Sequence, residues 1–150
     1  MTKYLCDVNV WVALALGPHS HNQTARAWLD AVDDRESVLF CRATQQGFLR
    51  LLTNASVLAP YGLPPLTNAA AWTAYEALIA DGRIIFRAEP DGLDQLWRAF
   101  SFSGASAPKL WMDAYLAAFA IADGCRMVTI DEAFRQFEGL DLLLLGTRRP

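Results

Sequence analysis

Apolar residues in this chain fall into two patterns: short unbroken runs, and longer stretches in which they recur every three or four positions. The short runs are Tyr4 to Cys6, residues 37–41 (SVLFC), 83–87 (RIIFR), 127–130 (MVTI) and 142–145. Each has the length of a strand and lacks polar alternation, which predicts strands buried on both faces. Helical periodicity fills the intervals. The run through Leu16 turns helical after Asp7 until Gly17-Pro18 stops it, and residues 20–33 place Ala25, Trp28, Leu29 and Val32 on one stripe. Thr44 is expected to cap a helix over GFLRLLT, from which Arg50 projects. Residues 55–66, with Pro60, Gly62, Pro64 and Pro65, read as a loop. Thr67 or Asn68 then caps a helix through Ala80, residues 91–101 form another, residues 109–123 a third ended by Gly124, and a short helix covers AFRQF.

Strands alternating with helices at this spacing predict an α/β protein, a three-layer α/β/α sandwich with a central, mostly parallel sheet. A chain of 150 residues, 53% of them hydrophobic, can bury one well-formed core, so a single domain over 1–150 is expected. Lys3 ahead of an apolar run resembles a secretory leader, but Asp7 and Asn9 interrupt the run and no small-residue cleavage site follows. The run is also too short to span a bilayer. Cys6, Cys41 and Cys125 are odd in number and widely spaced, which suggests neither a disulfide framework nor a zinc site and fits a cytoplasmic protein with buried thiols. The net charge of −3 argues against a nucleic-acid binder that relies on a large basic face, but not against one that holds its partner through metal ions.

Asp7 changes this picture most. It is a lone carboxylate within KYLCDVNVWVALAL, and burying it ionised is strongly unfavourable without a partner. It therefore stands at the mouth of the core, binds a cation, or does both. In open parallel sheets ligands bind beyond the carboxyl ends of the strands, and both Asp7 and Asp131 finish strands. Asp113 joins them on another ground: the residues sharing its side of the helix are Ala117 and Ala120, so that side faces the sheet, and its place near the positive helix end favours the ionised form. Two carboxylates about 4 Å apart repel by roughly 4 kcal/mol at an effective dielectric near 20, so three that converge need a cation. Hard oxygen donors select Mg²⁺, with Mn²⁺ as a substitute, and such a cluster suits phosphodiester hydrolysis by an activated water.

Four segments, CDVNVW, TQQGFLRLLTN, WMDAYLAAFA and TIDEAF, resemble in this order the PIN-domain ribonucleases, and the spacing over nearly all 150 residues is similar to the VapC toxins of bacterial toxin–antitoxin pairs. The resemblance implies Mg-dependent endonucleolytic cleavage of RNA, a homodimer, and inhibition by a cognate antitoxin whose C-terminal segment occupies the active groove. It implies Asp7, Asp113 and Asp131 as catalytic and metal-binding acids, with Asn9 and Thr129 as polar groups behind them. One departure stands out: where the family usually has a glutamate after the second strand, this chain has Gln45, which brings no charge. Metal affinity is then weaker, or a neighbour such as Glu132 compensates. A catalytically weak or silent module that binds RNA or a protein is the alternative. Arg42, Arg50 and Lys109 near the strand ends can hold RNA phosphates or be plain surface cations, and Trp111 can stack a base or serve packing. His19 and His21 form an H-x-H with no third ligand nearby, which fits a capping or surface role better than a metal site.

Overall fold

The computed structural model describes residues 1–146; residues 147–150, part of the single-domain expectation, lie outside them. Five strands, β1 (Tyr4–Cys6), β2 (Val38–Phe40), β3 (Ile84–Phe86), β4 (Arg126–Thr129) and β5 (Leu142–Leu144), form one sheet in the order β3-β2-β1-β4-β5. Every pairing is parallel, with Tyr4 opposite Val38 and Arg126, and Val128 opposite Leu143. Seven α-helices connect and cover them: α1 (Val8–Ala15), α2 (Asn22–Asp30), α3 (Arg42–Leu52), α4 (Ala55–Leu58), α5 (Asn68–Ile79), α6 (Leu93–Ser101) and α7 (Leu110–Ala122).

The unbroken apolar runs have a direct structural reason. Successive strand residues point to opposite faces, and both faces are dry. Cys6, Val38, Phe40 and Val128 enter one core with Trp11, Phe48 and Leu52, beneath α1, α2, α3 and α5. Leu5, Leu39 and Met127 enter the other with Leu116, Phe119 and Phe134, beneath α6 and α7. Trp11 stacks on Phe40 with 3.7 Å between ring centroids, joining α1 to β2. Gly47 lets α3 approach α1 closely, since a Cβ there would lie 2.8 Å from Cγ2 of Val8.

Three local expectations need correction. Helix α3 begins at Arg42, not after Thr44, because its N-cap is Cys41. Thr44 stands one turn inside, where its hydroxyl accepts from the Cys41 amide (3.0 Å) and donates back to the Cys41 carbonyl (3.1 Å). The 55–66 loop contains α4 and a 3₁₀ turn (Ala59–Tyr61), since Asn54 caps α4 by accepting from Ser56 N at 3.0 Å and Pro60 sits where a helical first turn tolerates it. The helix over AFRQF is a 3₁₀ turn, Glu132–Gln136, capped by Asp131.

Candidate functional site

The strand order reverses between β1 and β4, since β2 and β3 lie on one side and β5 on the other; the crevice at the carboxyl ends of these two strands is where such sheets bind ligands. Asp7 follows β1 directly and its amide donates to Val128 O on β4 (2.9 Å). As the N-cap of α1 it accepts from its neighbour Val8 N through Oδ1 (2.7 Å) and from the Thr129 hydroxyl through Oδ2 (2.8 Å). Thr129 Oγ1 in turn accepts from the Asp131 amide (3.0 Å), and the Asn9 side-chain amide reaches it at 3.5 Å. Asn9 Oδ1 also accepts from Ile130 N (3.4 Å). The fully buried Thr129 thus ties the end of β1 to the turn after β4. Asp131, whose Oδ1 accepts from Ala133 N (2.8 Å), is left exposed at the rim.

Helix α7 runs back to feed β4, which puts its first turn at the same edge of the sheet, and Asp113 lies in that turn. Ala117 and Ala120 on its side are fully buried. The three carboxylates are close enough to act on one another. Burial pushes the Asp113 carboxyl up to about 6, and the charges of Asp7 and Asp131 add to the push. Burial also raises Asp7, opposed by the Thr129 hydroxyl and the Val8 amide and reinforced by Asp131. Among the described residues no three His, Cys, Asp or Glu side chains gather closely enough to close a metal site by themselves. All-oxygen donors, two of them with raised pKa values, nevertheless fit a hard cation, which would relieve the charge they carry.

The remaining sequence-selected residues are placed as follows. Gln45 is buried, but its Oε1 accepts from Arg42 rather than from any group of the three acids, and the Arg42 guanidinium lies 4.5 Å over the Phe86 ring. Arg42 and Arg50 line one groove of about 640 Å³ with Met112 and Tyr115, and neither makes an ion pair among the described residues. Lys109 is exposed as the residue before α7, and Trp111 is 58% exposed. Glu132 is exposed and faces Arg135 at 3.9 Å. His19 stacks on Tyr61, which fits the surface reading of the H-x-H. Sequence reasoning missed Gly47, whose only signal was a glycine inside a helical pattern, and Trp97, whose indole N–H donates to Trp111 O (3.0 Å).

A sheet of this order with acids at its switch point defines a class, and the PIN domain family matches residues 4–140. The chain belongs to the PIN-domain family. Its relatives narrow this to the VapC-type toxins. It is 56% identical over 143 residues to Ribonuclease VapC41 of Mycobacterium tuberculosis, covering 95% of this chain and 98% of that one. It is 30% identical over 140 residues to Ribonuclease VapC44 of the same organism, covering 87% of each. Among solved structures, VapBC2 from Rickettsia felis bound to a DNA fragment from its promoter superposes with a TM-score of 0.70 at 11% identity, over 96% of this chain and 99% of that one. Mycobacterium tuberculosis VapC20, a toxin that cleaves the sarcin–ricin loop, gives 0.64 at 15% identity, over 93% and 98%. These two likenesses concern the fold. No helix among the described residues is long and apolar enough to cross a membrane.

Proposed function

We propose that this protein is a divalent-metal-dependent endoribonuclease, the cytoplasmic toxin of a toxin–antitoxin pair, with Asp7, Asp113 and Asp131 as its catalytic acids. The observation that carries the reading is the gathering of these acids at the switch point, where burial and the charges of Asp7 and Asp131 hold Asp113 up at about 6. Unrelieved, that arrangement is a liability; as a cation site it is useful. Bound Mg²⁺ or Mn²⁺ would supply a more acidic water and offset charge on the phosphoryl oxygens. Asp7, Asp113 and Asp131 would hold the ion after drawing closer together than they stand among the described residues. Thr129 holds Asp7 and the start of the Asp131 turn in register through its hydroxyl, which leaves closure of the three side chains as the movement an ion would have to drive. Arg42 and Arg50, in one groove and without an ion pair among the described residues, and Lys109 before α7 would hold RNA phosphates. A cognate antitoxin as inhibitor and a homodimer complete the proposal, in line with the relatives that bear the VapC name.

The uncharged Gln45, whose Oε1 accepts from Arg42, favours a second reading, a module that binds RNA or a protein without cutting. One experiment separates the two: purified protein is incubated with total cellular RNA and Mg²⁺ or Mn²⁺, beside an EDTA control and the Asp7→Asn variant. The nuclease gives discrete fragments that vanish in both controls. Intact RNA, with Mn²⁺ also failing to raise Tm, leaves the binding module.

A further inference from the structure

The connection between α6 and α7 leaves a cleft of about 670 Å³ that the carboxylate chemistry does not use. Its apolar wall is Trp97, Phe102 and Trp111; Asp94, Arg98 and three serines supply polar groups. Trp97 serves as a prop, because its N–H is spent on the Trp111 carbonyl and its ring meets Trp111 (6.3 Å, 74°) and Tyr115 (5.6 Å, 86°) edge-on. The other two rings face water. Trp111 is 58% and Phe102 85% exposed. Large aromatic surface left open in one concave place marks a binding site more often than a packing fault.

Position and chemistry select the occupant. Trp111 and Asp113 share the first turn of α7, but two residues on a helix separate side chains by ~200°, so the cleft opens on the face of α7 opposite the carboxylates, near the same end of the helix. A strand whose reacting phosphate reaches the acids would pass round the N-terminal end of α7 to lay another of its nucleotides in this cleft. An indole braced from behind by a second indole offers a flat stacking surface, which suits an unpaired base. Asp94 and Arg98 form no ion pair with each other among the described residues, which leaves an acceptor for base amino groups and a cation for base carbonyls or phosphate. A peptide helix would ask for a longer apolar groove with little charge.

We infer that this cleft holds one unpaired nucleobase of the RNA substrate, stacked on Trp111 beside Phe102, on the face of α7 away from the nucleotide that is cut. The inference rests on the ribonuclease reading and makes Trp111 a substrate-positioning residue.

The test is steady-state cleavage of a fluorescently labelled single-stranded RNA in Mn²⁺ by wild type, Trp111→Leu, Trp111→Phe and, as a control tryptophan on α5, Trp72→Leu. The expected result is a KM about tenfold higher for Trp111→Leu with kcat within about twofold, most of the loss recovered in Trp111→Phe, and no change for Trp72→Leu. Sedimentation of each variant runs in parallel. Wild-type cleavage with an unchanged KM in Trp111→Leu overturns the base subsite and leaves the nuclease standing. An unchanged KM together with altered self-association assigns the cleft to a second copy of the chain. Failure of the wild type to cut or bind any RNA removes both readings together.

Discussion

Replacing Asp113 by asparagine should stabilise the protein while abolishing its activity. The side chain is half-buried, forms no ion pair among the described residues, and faces the charges of Asp7 and Asp131. Its native pKa of about 6 lies above the ordinary 3.8, so the folded state holds the proton more tightly than the unfolded one. The associated stability is therefore complete below pH 3.8 and is lost as pH rises through about 6. At neutral pH the wild type carries the whole penalty. Converted at ~1.4 kcal/mol per pKa unit, the difference sets a ceiling near 3 kcal/mol. Solvent screening of a half-exposed group reduces that to about 1 kcal/mol. With an unfolding entropy of ~2.1 cal/mol/K per residue, the gain is about 3 °C in Tm for a chain of this length. Calorimetry in EDTA across pH 4 to 8 measures it: the variant should melt higher at neutral pH and the gap should close towards pH 4. Added Mn²⁺ should then raise the wild type more than the variant, because the cation relieves what asparagine has already removed. A variant that melts below the wild type at neutral pH without metal, or a gap independent of pH, would show that the carboxylate is not penalised there and would remove the electrostatic case for a cation.

Thr129→Val keeps the shape of the side chain but takes the hydroxyl from Asp7, so the Asp7 pKa should rise further and the acidic limb of the pH–activity profile should move to higher pH; a profile that scales down without moving would deny the link. Gly47→Ala gains ~1 kcal/mol of helix propensity but drives a Cβ to 2.8 Å from the stiff, β-branched Val8 beside Asp7, and urea melts should register a net loss of about 1 kcal/mol together with reduced cleavage. Higher stability with full activity would mean that α1 and α3 have room to spare. Trp11→Phe should cost less than ~1.5 kcal/mol, because the indole N–H is buried without a hydrogen-bond partner among the described residues and its removal offsets the lost contacts, whereas Trp11→Ala should cost 3 kcal/mol or more by order of magnitude. Equal losses in the two variants would mean that the orphan donor carries no penalty.

The sheet was legible because strands buried on both faces must be apolar throughout, and Leu5, Leu39 and Met127 do enter a different core from their neighbours in sequence. The position of Asp7 was legible for the converse reason, one acid in a run with no other polar demand except Asn9. Asp113 was betrayed by its alanines. What escaped depended on partners remote in sequence or on unusual caps. Nothing marked Cys41 as an N-cap, so Thr44 received that part and α3 was expected a turn late. The loop containing Pro60 hid a short helix because proline signals a break and a helical first turn alike. Gln45 turns to Arg42, and Arg42 is held by Phe86 from another strand; such a three-way arrangement has no signature in local sequence.

The hydrogen bond from Thr129 to Asp7 spans 122 positions of chain. Since β4 is the strand that completes this edge, the acids cannot meet while the ribosome still holds the last quarter of the protein. The β1–β2–β3 half can pair beforehand through its own connections, with Asp7 as no more than the cap of α1. Loop closure then delivers Thr129 and Asp131 in one step as β4 inserts beside β1. If the three acids are the catalytic ones proposed, the order of synthesis is itself a safety catch: a nascent chain has three of the five described strands before its acids can assemble.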